Sequence, residues 1–165
     1  MNCIEKILTR RSVRKYKGEP VPDEVEKNIL EAGRLAPSAT NIQPWHFVVV
    51  KEREAKEAFS FGSFNRFAAD AAFVVLGLYK PSEAIIEQYS LMDVTIALQN
   101  MVIAACVQGV GSCWMGAFDE PKLRKALNLP SDTRIVGAVA FGIPDGKPPQ
   151  PPKKPLSQVV HSEKW

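Results

Sequence analysis

The stretch from about residue 83 to 108 sets the first limit on what this chain can become. Ile86, Leu91, Val94, Leu98, Met101, Val102 and Ala105 recur at threes and fours, which predicts one long helix. At ~1.5 Å per residue it spans roughly 39 Å. Its other positions are polar but almost uncharged: Gln88, Ser90, Asp93, Thr95, Gln99 and Asn100. A helix with so little solvated face is expected to be buried around much of its circumference and to have a subunit partner. No run nears ~18 uninterrupted apolar residues, so the reading excludes a membrane span.

The 165 residues leave room for one domain around that helix. HFVVVK (46–51) and AAFVVLGLYK (71–80) are too apolar to face water on both sides and read as central strands, with RIVGAVAFG (134–142) a third. A charged helical piece, 52–59, separates the first two. Ile4, Ile7 and Leu8 predict a short opening helix over 3–9. Asp23 is the expected cap of the next helix, with Glu26 completing a capping box. Val25, Ile29, Leu30 and Leu35 form its inner face, and Pro37 ends it near Ala36. Trp45 is a core anchor. Gly109 and Gly111 close the long helix, 112–118 is extended, and Asp119 caps a further helix with Pro121 near its start. Six of the 13 prolines fall within 144–155, so the tail runs extended until LSQVV (156–160), a candidate edge strand.

Charge is unevenly spread. Net charge is +3, but residues 1–17 carry +5 and residues 147–165 carry +3, leaving −5 for the body between. Two basic ends around an acidic body suit one anionic ligand where they converge; a nucleic-acid arm and plain solvation are the rivals. Cys3, Cys106 and Cys113 form no CxxC and no even framework, which fits reduced thiols in a cytoplasm. The start, MNCIEKILTRRS, has no apolar core of the secretory kind. His46 and His161 lack metal-ligand spacing, so no metal site is expected.

Three segments carry candidate chemistry. In RRSVRKY (10–16), Arg10, Arg11, Ser12 and Arg14 offer guanidinium forks and a hydroxyl, the donor set a phosphate group needs. In APSATNIQPWHFVVV (36–50), Pro37, Ser38, Ala39, Thr40, Asn41 and Gln43 make a small, donor-rich loop suited to the edge of a flat polar ring. GVGSCWMGAF (109–118) fails the dinucleotide fingerprint, being out of register and not preceded by a strand. Its glycines permit close backbone approach to something flat, or simply a helix end. Cys113 has no base nearby in sequence, and neither histidine has a carboxylate partner suggested by sequence. With no Ser/His/Asp order, carboxylate pair or metal motif, catalytic side chains are expected to be absent. The site binds, and a cofactor carries the chemistry.

In order along the chain, RRSVRKY, APSATNIQPWHFVVV, AAFVVLGLY, the helix containing DVTIALQN, GVGSCWMGAF, the strand ending FGIP, and KKPLSQVVHSEKW resemble the flavin-dependent nitroreductase family over essentially the whole chain. The resemblance implies an α+β sandwich, a central mostly antiparallel sheet flanked by helices, in an interlocked homodimer with FMN at the interface. Residues 1–147 would be a single FMN-binding domain and 148–165 an extended tail packing on the partner subunit. Arg10, Arg11, Ser12 and Arg14 would hold the phosphate and ribityl chain, with Lys153 or Lys154 completing the phosphate site. Pro37, Ser38, Ala39, Asn41 and Gln43 would reach the same flavin from the other subunit. Asn65 is similar to the family's ring-edge amide, and Cys113, Trp114, Met115 and Gly116 would line the ring through backbone atoms. The implied activity is electron transfer from NADH or NADPH to a nitroaromatic, quinone or similar acceptor by ping-pong exchange. Other flavin chemistry of the family and flavin binding without turnover are the alternatives. The family's larger members carry a helical insertion before the long helix; here only Lys80-Pro81-Ser82 stands there, leaving the flavin face more open.

Overall fold

The computed structural model describes residues 2–165. Four strands form one antiparallel sheet in the order β1-β2-β4-β3: β1 Trp45–Val50, β2 Phe73–Tyr79, β3 Gly111–Met115 and β4 Arg134–Gly142. β2 and β4 are central and carry the most apolar sequences, with Phe73 stacked on Phe141 at 5.0 Å between ring centroids. β1 is an edge strand of this sheet, not the central strand its composition suggests. Its alternate residues Phe47 and Val49 pack under a helix, so a half-covered edge strand accounts for the apolar run.

Helices cover both faces. Asp23–Arg34 (α2) and Glu87–Val107 (α4) lie on one, where Ile29, Val94, Ala97, Leu98 and Met101 are fully buried. Two glycines let them close in: a Cβ on Gly77 would sit 2.7 Å from Leu98, and one on Gly33 only 2.1 Å from Met101. The other face packs Arg53–Glu57 (α3) and Glu120–Ala126 (α5) over Val74, Leu76, Ala138 and Ala140. Cys3–Thr9 (α1) has no buried residue, and Ile4, Ile7 and Leu8 are exposed.

α4 starts four residues later than its periodicity predicts. Pro81–Glu83 forms a separate 3-10 turn and Ile86 is extended, so helical hydrogen bonding begins at Glu87. By length and composition α4 could cross a membrane, but here it is the core helix, with Val94, Ala97, Leu98 and Met101 fully buried. Its apolar side chains run all round: Leu91, Met92 and Ile96 are exposed opposite the buried set.

Two cap assignments change. Pro22, not Asp23, is the N-cap of α2, and no side chain caps it; Asp23 is the first helical residue, where a carboxylate still favours the helix dipole. The capping box is at α1 instead, where Asn2 accepts from the Glu5 N–H at 2.9 Å and Glu5 accepts from the Asn2 N–H. Asp119 caps α5 as read, accepting from the Lys122 N–H. LSQVV is not a strand. Leu156–Gln158 is a 3-10 turn, because a strand needs an edge beside it and the tail leaves its own sheet behind. Every residue from 151 to 165 is exposed.

Candidate functional site

The first and third sequence segments meet. Residues 10–16 run alongside the start of β3: Ser12 and Ser112 form a parallel bridge, and the Val13 N–H donates to the Ser112 carbonyl at 2.9 Å. Gly111 makes this approach possible, since a Cβ there would lie 2.9 Å from Val13. Tyr16 anchors the segment by donating its hydroxyl to the Val13 carbonyl at 2.8 Å, and burial pushes its pKa up. Arg10, Arg11, Ser12 and Arg14 then line one cavity of about 610 Å³ with Pro148–Pro151 and Lys153. Lys153 lines it and Lys154 does not. Arg11 is folded back, donating to the Arg10 carbonyl at 2.7 Å. The ion pair Lys15–Asp145, 2.6 Å, ties the basic segment to the start of the tail.

Cys113 is buried in β3 directly beside this cluster. Burial pushes its thiol pKa up, and Arg14, a hydrogen bond from Ser12 and Arg10 oppose that shift only in part. A thiol held protonated is a poor nucleophile. Trp114 lies over Gly137, where a Cβ would sit 3.2 Å from the ring, and its indole donates to Gln99 on α4 at 3.1 Å. Met115 is buried, so its side chain belongs to the core and its backbone faces the strand end. Gly116 follows β3 with open space where a side chain would stand. Asn65, at φ 62°, donates its amide N–H to the Ala117 carbonyl at 2.6 Å, which brings it to the same strand end and leaves its Oδ1 as an acceptor.

The second segment stands apart from this cluster. Pro37–Gln43 leads from α2 into β1 and is tied to α4, where Asp93 accepts from the Ala39 N–H at 3.1 Å. Ser38 Oγ accepts from the Gln43 N–H at 2.9 Å, and Gln43 donates its side chain to the Asn41 carbonyl. Thr40, Asn41 and Gln43 all have positive φ, 51°, 59° and 56°. For a β-branched residue such as Thr40 this is an outlier, and each such residue costs of order 1–3 kcal/mol. Three of the four residues from 40 to 43 therefore hold strained backbone.

A further contact has no signature in the sequence. His46 has a carboxylate partner: its Nε2 lies 2.7 Å from Glu83 Oε2. The two are 37 residues apart, and the turn that joins them in space was invisible to local pattern. Both are exposed, on the edge strand and the turn before α4.

The fold is an α+β sandwich with a cationic cradle at the start of β3 and an open backbone at the far end of the same strand. The chain matches the model of the nitroreductase family over residues 7–66 and 60–143, and it belongs to that family. A protein of Archaeoglobus fulgidus, named provisionally as an NADH dehydrogenase/NAD(P)H nitroreductase, is 35% identical, covering 99% of this chain and 98% of its own. Among solved structures, a Desulfovibrio desulfuricans protein in complex with FMN superimposes with a TM-score of 0.88 at 28% identity, over 100% and 98% of the two chains. The NADPH:FMN oxidoreductase of Vibrio harveyi, complexed with NAD+, gives 0.89 at 26% identity, over 100% of this chain and 78% of that one.

Proposed function

We propose that this chain is an FMN-dependent oxidoreductase that takes electrons from NADH or NADPH and passes them to a nitroaromatic, quinone or similar small acceptor. The observation that carries the reading is the meeting of Arg10, Ser12, Arg14 and Lys153 around one cavity at the start of β3, the strand that leads to the open backbone at Gly116. That donor set fits a phosphate monoester, and the space at Gly116 fits a flat ring approaching main-chain atoms. The FMN complex of the Desulfovibrio protein and the names of the relatives support the same group.

When bound, FMN supplies reversible acceptance of a hydride. The protein's own residues bind and orient. Arg10 and Arg14 hold the phosphate as forks, Ser12 adds a hydroxyl, and Lys153 adds a point charge in preference to Lys154. Backbone N–H groups around Cys113, Trp114, Met115 and Gly116 face the ring, where fixed donors favour negative charge as it develops. Asn65 offers Oδ1 to a ring N–H. Pro37, Ser38, Ala39, Asn41 and Gln43 act on the flavin of the other subunit, which is why they lie apart from the cradle in their own chain. The working unit is a homodimer: α1, the outer face of α4 and the tail all present apolar side chains that a second copy covers. Residues 1–147 form the flavin-binding domain and 148–165 the tail that embraces the partner. The three cysteines are free, as suits the cytoplasm.

An absorption spectrum of the purified protein should show oxidised flavin, bleached by anaerobic NADH or NADPH and restored by a quinone. A colourless protein that takes up no FMN would sink the proposal. Flavin that neither nicotinamide reduces would make it a binding protein without turnover.

Side-chain acid–base catalysis has no place in this reading. His46→Gln should leave NAD(P)H oxidation within about tenfold on flavin-loaded protein, despite the Glu83 pair, since losing a general acid–base typically costs ~10²–10⁴. A hundredfold fall with full flavin content would place a side chain in the chemistry.

A further inference from the structure

Asp93 is a buried carboxylate in the middle of an apolar helix. Its neighbours on that face are Ser90, Val94 and Ala97, all at most 2% exposed. Taking a carboxylate out of water is costly unless it is compensated, and here the bond it accepts comes from a neutral backbone N–H, that of Ala39. A core position facing only apolar packing would not favour this residue. The position makes sense through what the bond holds.

Ala39 opens the strained turn. Ser38 is extended at φ −141°, and the backbone then enters the left-handed region at Thr40, Asn41 and Gln43. Further bonds run within the loop, among them those from the Asn41 N–H to the Ser38 carbonyl, the Ile42 N–H to the Ala39 carbonyl, the Gln43 N–H to Ser38 Oγ and the Gln43 side chain to the Asn41 carbonyl. They fix its shape but not its position on the protein. The Asp93 bond does that, its side-chain oxygen joining the loop's first turn to the rigid core helix. We propose that Asp93 is the positioning residue that holds the 38–43 loop in the geometry in which it meets the flavin. The assignment rests on the proposed role of that loop in the flavin site.

Two variants separate the acceptor from the charge. Asp93→Asn keeps an oxygen for the Ala39 N–H, whereas Asp93→Ala removes it. Two measurements are made on the dimer: hydrogen–deuterium exchange of the peptide spanning 36–44 without cofactor, and FMN affinity by fluorescence titration. In Asp93→Ala, exchange in that peptide should quicken and FMN should bind about tenfold more weakly, with α5 and β4 exchanging as before. Asp93→Asn should restore both to within about threefold of the unmodified protein. An Asp93→Ala protein with unchanged exchange and affinity overturns the assignment. So does an Asp93→Asn protein whose loop exchanges fast, and this variant carries the test if the alanine variant does not fold. If the unmodified protein takes up no FMN, the proposed function falls, while the exchange measurement still decides whether Asp93 holds the loop.

Discussion

Replacing Arg10 or Arg14 by alanine should raise the FMN dissociation constant ten- to hundredfold. Each guanidinium lines the same cavity as Ser12 and Lys153, and each would give the phosphate a charge-assisted contact worth roughly 1.5–3 kcal/mol. Arg11 should matter less, because its guanidinium is already turned back to the Arg10 carbonyl. Lys153→Ala should also cost less than either fork, and Lys154→Ala least of all, being outside the cavity. Fluorescence titration of the flavin-free protein measures all five. Unchanged affinity in both the Arg10 and Arg14 variants would remove the phosphate from this cradle. Equal losses at Lys153 and Lys154 would mean that the tail is placed differently when the site is filled.

What the sequence made legible follows from how local each cause is. β4, α5 and the 3–9 helix were readable because composition, a cap and short-range period decide them alone. The errors came where a distant partner decides. β1 is as apolar as a central strand, yet lies at an edge, because burial on one face by the helical layer looks the same in sequence as burial by a neighbouring strand. Asp23 has the residue type of a cap, but Pro22 already stands at the turn with extended backbone, so the carboxylate falls one position inside. The turn at Pro81–Glu83 delays α4 because proline starts its own short helix there.

The candidate site divides in the same way. The cationic cradle was visible as a charge cluster, since four of its donors are within five residues of one another. Its contact with β3 was not, because residues 12 and 112 are a hundred positions apart and Gly111 gives no hint of what will lie over it. Nor was the role of Asp93. In sequence it reads as one polar residue on a helix face; only the fold shows that its carboxylate meets a backbone amide 54 residues away. The choice between Lys153 and Lys154 is likewise set by the path of a proline-rich segment, which fixes local extension but not direction.

Removing residues 151–165 should weaken the proposed homodimer by about a thousandfold and take FMN affinity down with it. In the single subunit this segment touches water throughout, and it carries Leu156, Val159, Val160 and a fully exposed Trp165. Four such side chains on one solvated tail have no reason to be apolar unless a second copy covers them. Fully burying a Leu- or Val-sized side chain contributes roughly 1.5–3 kcal/mol. Discounted to about 1 kcal/mol each for ordering the chain, the four still amount to about 4 kcal/mol, close to three decades in a dissociation constant. Sedimentation across a concentration series reads the dimer, and flavin titration reads the site. Lys153→Ala in the full chain separates the two effects, since it removes the charge and keeps the embrace: it should lower FMN affinity without shifting the dimer. If the shortened chain dimerises as tightly as the full one, the tail does not hold the partner. The apolar faces of α1 and α4 would then have to account for the interface on their own.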